Sequence, residues 1–338
     1  MATGFTRQAQ RGEGATPLIA LEVDVADVRR VIWLKLESSN VRGSIKDRTA
    51  AALWSSVRAR VHPEEGVIES TSGNLGIALA AICAGHGIPF TAVVEPRISR
   101  AAVDMMRRDH ARIVMIDRLD ARGGYLLNRL AYVHEQLQAR PQLIWTNQYE
   151  NPANPQAHRT GTAPELWRQL PRPATVLVAV STGGTLAGFR QFSRSEQVPW
   201  DVVGVDVEGS VALGEGVPGP RVLPGIGSSR PTSFLPPEQR PPREVVSSAE
   251  AVATCLWLAE QTGIMVGGSS GAVLAAALRR IEGGRDETDL VVVCPDGGDR
   301  YQDTIYSPAW RQDNIATPGL VRPVKLMGVR RRTPGGAR

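Results

Sequence analysis

The chain has 338 residues, enough for two domains of ordinary size or one large one, and its 42% hydrophobic content suffices for a sizeable core. Its 34 glycines and 24 prolines follow no period, which excludes a fibrous protein, and no apolar run approaches the roughly 20 residues needed to cross a bilayer. The net charge of +5 is concentrated at one end: residues 322–338 carry Arg322, Lys325, Arg330, Arg331, Arg332 and Arg338 and no acid. A basic stretch rich in Gly and Pro reads as a flexible tail (316–338) rather than a nucleic-acid footprint, and the remaining chain is close to neutral.

In chain order, VIWLKLE (31–37) is a strand candidate, and 47–60 a helix with Ala50, Ala51, Leu53, Trp54 and Val57 at helical spacing. GVIES (66–70) is a short strand ending in a turn-rich TSGN, and 75–84 a buried helix closed by Gly85. FTAVVEP (90–96) and ARIVMID (111–117) read as strands, 99–109 and 123–139 as helices. TVLVAVS (175–181) is a strand leading through a glycine turn into the helix LAGFRQF, followed by the strand DVVGVDV (201–207). Residues 209–245 look like a long functional loop. Helices are expected at 248–261 and 271–282, and a last core strand at DLVVVCP (289–295). Continuously apolar strands separated by helices predict an α/β fold with parallel-rich sheets covered on both faces.

The N-terminus lacks the apolar core of a signal peptide, so a soluble cytoplasmic protein that binds neither nucleic acid nor membrane is expected. Cys83, Cys255 and Cys294 fit neither a metal site nor a disulfide framework, and each lies in an apolar stretch, so they are expected to be buried and reduced. No metal is expected. Only three basic residues are lysines, Lys35, Lys46 and Lys325, against 36 arginines. Any chemistry that needs an amine therefore has few candidates.

Four segments share one layout, a strand end or turn of small hydroxyl residues and glycine that opens a helix: GSIKDR (43–48), STSGNLG (70–76), STGGTLAG (181–188) and GGSSGA (267–272). A helix N-terminus offers free N–H groups and the positive end of a dipole, glycine lets the backbone approach an anion, and Ser or Thr adds donors. One such turn says little, because helix caps prefer these residues in any case. Four in one α/β chain point to an anion-binding edge, since parallel sheets gather such turns along one side.

With QYENPAN (148–154) and PDGGDRY (295–301) between and after them, these segments resemble, in order and spacing, the fold-type II pyridoxal-phosphate (PLP) enzymes, and within them the cysteine synthase-like group. The resemblance covers roughly residues 17–310. It implies the tryptophan synthase beta-like fold: a smaller mobile domain (38–150) that carries the substrate-carboxylate loop, and a larger cofactor-binding domain (10–37 plus 151–315). It also implies a homodimer. Lys46 corresponds to the lysine that holds PLP as a Schiff base and later acts as a base. Asn74 corresponds to the partner of the cofactor's 3′-oxygen. Ser181, Thr182, Gly183, Gly184 and Thr185 correspond to the phosphate-cradling loop, and Ser270 to the residue facing the pyridine nitrogen. Thr71, Ser72, Gly73, Asn74 and Gln148 correspond to the binders of the substrate carboxylate.

A neutral Ser270 leaves the ring a weaker electron sink than an Asp would, which favours β-elimination and β-replacement over transamination. Many cysteine synthases read closer to PTSGNTG, QFEN and GTGGT; here Leu75, Tyr149 and Ser181 depart from that wording. Two of the three add a hydroxyl where the leaving group is expected, which suits phosphate better than acetate. Arg129 and Arg230 are candidates for the accompanying cation. This wording is similar to a branch that joins L-glutamate to the three-carbon unit of O-phospho-L-serine, toward 2,3-diaminopropionate for siderophores or peptide antibiotics. The alternatives are a cysteine synthase using O-phosphoserine or O-acetylserine, a dehydratase-like lyase, and a non-catalytic relative, against which an intact Lys46 argues.

Overall fold

Two sheets organise the chain. The computed structural model describes residues 15–214, 216–286, 288–316 and 324–331. The chain opens with an antiparallel hairpin, β1 (Leu18–Val25) and β2 (Val28–Leu36), and then alternates helix and strand. α1 (Lys46–Val57), β3 (Val67–Ser70), α2 (Asn74–Gly85), β4 (Phe90–Val94), α3 (Arg100–Arg108), β5 (Arg112–Met115), α4 (Leu126–Ala139) and β6 (Ile144–Trp145) follow. The strands β3 to β6 form one parallel sheet in the order β5-β4-β3-β6. Its strands are short and its buried helix α2 is apolar almost all round, with eight of twelve residues buried.

The next segment crosses to the second sheet. α5 (Ala153–Ala157), a π-helical turn (His158–Thr162) and α6 (Ala163–Gln169) lead into β7 (Ala174–Ala179), α7 (Gly184–Ser195) and β8 (Trp200–Val207). β9 (Arg243–Val246), α8 (Ser248–Thr262), α9 (Gly268–Glu282), β10 (Asp289–Cys294), α10 (Pro308–Asn314) and β11 (Val324–Arg331) complete the chain. The seven-stranded sheet has the order β11-β1-β2-β10-β7-β8-β9 and is parallel from β2 to β9. Its central strands are buried throughout, as the uninterrupted Val, Leu and Ala runs require, with α8 and α9 packed together over part of it. Ser247 and Glu250 form a reciprocal capping box at the start of α8, and Gly263 closes it in the left-handed region.

Two expectations need correction. The stretch 316–338 is not a tail throughout: residues 324–331 pair antiparallel with β1, Lys325 standing opposite Asp24 and Arg330 opposite Ala20. Alternating exposure along this edge strand lets its basic side chains face solvent while the backbone completes the ladder. Residues 317–323 and 332–338 lie outside the described residues. The expected loop 209–245 ends in a strand, since Arg243–Val246 extends the sheet beyond β8; with two charges in four residues it carries little strand signal.

The topology gathers the turns that follow β3, β4, β7, β8 and β10 at the carboxyl ends of parallel strands, where open α/β sheets form their clefts. α1 is fixed there by a buried ion cluster. Arg48 pairs with Glu37 at 2.7 Å and Glu165 at 2.9 Å. Lys35 is fully buried and spends its amine on Glu165, on the Thr16 carbonyl at 2.8 Å and on Gln169 at 2.7 Å. Removing any one of the four charged members, Lys35, Glu37, Arg48 or Glu165, would leave a buried charge uncompensated, so the cluster locks the N-terminal turn of α1 to the larger sheet. The three cysteines are buried and free. Among the described residues no helix is long and apolar enough to cross a membrane.

Candidate active site

One cleft is lined by residues from all of these turns. Lys46 opens α1 and reaches the cleft together with Thr71, Ser72, Gly73 and Asn74 from the turn after β3. Arg129 on α4, Gln148, Tyr149, Ser181 and Thr182 line it as well. Gly183, Gly184, Thr185 and Ser270 do not form its open wall: the first three continue from Thr182 into α7, and Ser270 follows Ser269, which does line it. Arg230 is absent from this cleft. It pairs with Glu150 at 2.7 Å, lies over the Tyr149 ring at 5.8 Å, and lines a smaller adjoining pocket with Tyr149, Ser181 and Thr182.

Lys46 carries the available amine. Lys35 is consumed by its ion cluster and Lys325 lies on the edge strand. Desolvation lowers the Lys46 pKa to about 8, against the opposing charge of Glu69, so a useful fraction of the amine is neutral near neutral pH. Glu69 is fully buried beneath the substrate turn; burial raises its pKa to about 7. It accepts hydrogen bonds from Ser70 N at 2.9 Å, Gln148 N at 3.1 Å and Trp145 Nε1 at 3.1 Å, and from the Thr146 hydroxyl, which ties β3 to the 146–149 loop.

The substrate turn is built by its own side chains. Thr71 Oγ1 accepts from Gly73 N at 3.1 Å and Gly76 N at 3.0 Å, which caps α2 and leaves the hydroxyl proton free to donate. Gln148 Nε2 donates to the Ser70 carbonyl at 2.6 Å. The Asn74 amide is held at both ends, its nitrogen donating to Asp296 Oδ2 at 2.7 Å and its oxygen accepting from Arg300. Tyr301 donates to the same Asp296 oxygen at 2.6 Å. Asp296, Arg300 and Tyr301 therefore orient Asn74. They belong to the PDGGDRY segment, whose order within the chain was informative but whose individual residues carried no assigned role.

The glycine turn after β7 is a cradle with no room for side chains. Gly183 has φ +85°, and a Cβ there would lie 2.2 Å from Thr232 Oγ1. A Cβ on Gly184 would lie 2.1 Å from Asn154 Oδ1. Asn154 in turn donates to Thr182 Oγ1 at 3.1 Å and to the Gln148 carbonyl at 2.6 Å, joining the cradle to the substrate loops. Thr185 faces His158, whose Nε2 lies 3.3 Å from its hydroxyl and 3.1 Å from Thr49 Oγ1. His158 is fully buried, and desolvation together with the Lys46 and Arg48 charges holds its pKa well below the usual value, so it stays neutral.

These residues fit pyridoxal phosphate. The N-terminus of α7 with its two side-chain-free positions suits a phosphate, and the Lys46 amine suits an aldehyde. Ser270 Oγ is fully buried with only the Cys294 thiol beside it and no stronger hydrogen-bond partner, as expected of a group whose partner is a ring nitrogen.

The cleft also holds residues that no motif announced. Glu95 and Arg97 follow β4, and Arg221 lies in the long loop after β8. Arg129 Nη2 lies 3.1 Å from Glu95 Oε2, while its Nε and Nη1 are buried without a partner. Tyr149 Oη is 3.3 Å from the Ser70 carbonyl, which it donates to, and burial raises its pKa despite the Arg129 charge. Ser181 Oγ donates to the Gly227 carbonyl at 3.3 Å. Polar residues that immediately follow an apolar parallel strand, as Glu95 and Arg97 do after FTAVV, were the available signal for this group.

A family model described as "Pyridoxal-phosphate dependent enzyme" matches residues 9–296. A protein of Ralstonia nicotianae named N-(2-amino-2-carboxyethyl)-L-glutamate synthase is 41% identical over 300 residues, covering 88% of each chain. One of the same name from Cupriavidus metallidurans is 39% identical over 303 residues, covering 88% of this chain and 89% of that one. Among solved structures, the O-acetylserine dependent cystathionine beta-synthase of Helicobacter pylori is 27% identical with a TM-score of 0.78, covering 90% of this chain and 99% of that one.

Proposed function

The chain belongs to the family of pyridoxal-phosphate-dependent enzymes, and from that premise we propose that it is a β-replacement transferase joining L-glutamate to O-phospho-L-serine, with N-(2-amino-2-carboxyethyl)-L-glutamate and phosphate as products. The observation that carries the donor half is Arg129. It is 5% exposed, lines the cleft together with Tyr149 and Ser181, and keeps two buried nitrogen donors, Nε and Nη1, unpartnered. A buried guanidinium with spare donors is strongly disposed to an anionic group that can accept them. The names of the two relatives at 41% and 39% identity support the acceptor half.

The cofactor, when bound, supplies an electron sink for the electrons left at the donor's Cα when its proton departs. The chain's own residues do the rest. Thr71, Ser72, Gly73 and Asn74 bind the donor's α-carboxylate through the hydroxyl and N–H groups of one turn, with Gln148 from the loop after β6. Lys46 Nζ removes the α-proton and later returns it; its lowered pKa makes the neutral form accessible. Arg129, Tyr149 and Ser181 receive the departing phosphate. Ser181, Thr182, Gly183, Gly184 and Thr185 would hold the cofactor's phosphate, and a neutral Ser270 at the ring nitrogen would leave it unprotonated, which would favour loss of a β-substituent over amino-group transfer. The product would serve a pathway to 2,3-diaminopropionate.

The test is a donor and acceptor matrix with purified holoenzyme. O-phosphoserine plus glutamate should release phosphate in step with an adduct of the expected mass. Efficient formation of cysteine from O-acetylserine and sulfide, with no glutamate adduct, would replace this reading with a cysteine synthase.

A further inference from the structure

The donor's phosphate, on the reading above, needs one cation, and the cleft wall supplies more. Arg97 and Arg129 hold the two oxygens of the same carboxylate: Arg97 Nη2 lies 2.6 Å from Glu95 Oε1, and Arg129 Nη2 lies 3.1 Å from Oε2. Glu95 is itself buried. Arg97 Nη1 donates to the Arg221 carbonyl, and its guanidinium lies over the Tyr125 ring, 4.9 Å from the centroid. Its side chain is 25% exposed, yet its Nε is buried without a partner. The third arginine, Arg221, is committed differently. It spends its guanidinium on the Gly209 carbonyl at 2.7 Å and on Ser229 Oγ at 2.9 Å, so it holds the loop and contributes charge without a spare donor of that kind. Of the three, Arg97 alone combines a partly exposed side chain with a nitrogen that has no partner.

We propose that Arg97 is a specificity-determining residue that receives the side-chain carboxylate of the amine acceptor, restricting the acceptor to dicarboxylic amino acids. This rests on the β-replacement reading above. Arg97 is pre-organised by Glu95, by a backbone carbonyl and by an aromatic face, so little side-chain entropy remains to be lost on binding. Glu95 divides its one negative charge between Arg97 and Arg129, so Arg97 keeps charge to be met, which a carboxylate answers and an uncharged amide isostere does not. Glutamine differs from glutamate at this one group, which makes the pair the natural probe.

The experiment is a competition between glutamate and glutamine for O-phosphoserine, with adducts quantified by mass spectrometry. The wild-type holoenzyme should prefer glutamate at least tenfold. Arg97→Gln should reduce that preference at least tenfold, and Arg97→Lys, which keeps the charge, should retain part of it. Arg129→Leu should slow both adducts together and leave the ratio within about twofold. A ratio in Arg97→Gln within twofold of wild type overturns the inference while leaving the proposed function standing. A wild type that joins neither amino acid to the donor removes the proposed function, and this inference with it, before any variant is compared. Should Arg97→Gln fail to fold, wild-type inhibition decides: glutarate should compete with glutamate at least tenfold better than its monoamide, and equal potency overturns the assignment.

Discussion

Arg129→Leu probes the donor site directly. The side chain sits on α4 beside Leu126, Leu130 and Tyr149, so a leucine replaces it among apolar neighbours. Glu95 keeps its 2.6 Å pair with Arg97, so the substitution does not strand that carboxylate. What is lost is the pair of unpartnered donors, Nε and Nη1. Charge-assisted hydrogen bonds are worth about 1.5–3 kcal/mol each, so two of them to a phosphate leaving group represent about 3–6 kcal/mol. Discounting for imperfect geometry and a residual field from Arg97, kcat/KM for O-phosphoserine should fall about 10²- to 10³-fold. O-acetylserine, whose leaving group carries less charge, should lose less than about tenfold. The assay is steady-state phosphate or acetate release with glutamate saturating. A loss under threefold for O-phosphoserine, or an equal loss for both donors, would refute the assignment of the leaving-group site.

Three further perturbations follow from the geometry. Gly184→Ala places a Cβ 2.1 Å from Asn154 Oδ1, and Asn154 is buried and bonded on its other side; overpacking of this kind costs about 1–3 kcal/mol. Thermal melts should drop, and cofactor titration should show weaker retention. Lys46→Ala removes the neutral amine, so the holoenzyme's visible absorbance and adduct formation should both vanish, whereas Lys35→Met should retain the absorbance if the protein folds. Glu69 carries a pH signature: its folded pKa of about 7 lies above the ordinary 4.5, so the native state binds the extra proton, and this contribution to stability is full below pH 4.5 and lost as pH rises to 7. The stability of Glu69→Gln relative to wild type should therefore rise by about 3 kcal/mol across that window in denaturant unfolding of the cofactor-free protein. A flat difference would contradict the burial argument.

Much of the fold was legible because its strands are continuously apolar and its helices periodic. VIWLKLE, TVLVAVS and DLVVVCP each mark a strand of the larger sheet within a few residues of its bounds. Beyond β1, whose alternating LIALEVDV went unread, what escaped notice was short or charged: β9, with Arg243 and Glu244 in four residues, and β11, whose basic side chains read as a tail although alternate residues face solvent along an edge. Those elements owe their strand geometry to a neighbouring ladder, which local composition does not encode. In the site, the glycine and hydroxyl turns were visible because each opens a helix in a recognisable layout. Glu95, Arg97, Asp296 and Arg300 were not, because their significance comes from which side chains meet across the cleft. The sequence likewise could not show that Arg230 meets Glu150 and the Tyr149 ring.

The central claim is that the acceptor is glutamate and the leaving group phosphate. Its most direct test is the product formed when wild-type holoenzyme meets O-phosphoserine with glutamate and sulfide together at equal concentration, read by mass spectrometry and phosphate release. The account predicts phosphate release matched by N-(2-amino-2-carboxyethyl)-L-glutamate as the main product. Phosphate release matched by cysteine, or by pyruvate with no adduct, would contradict it.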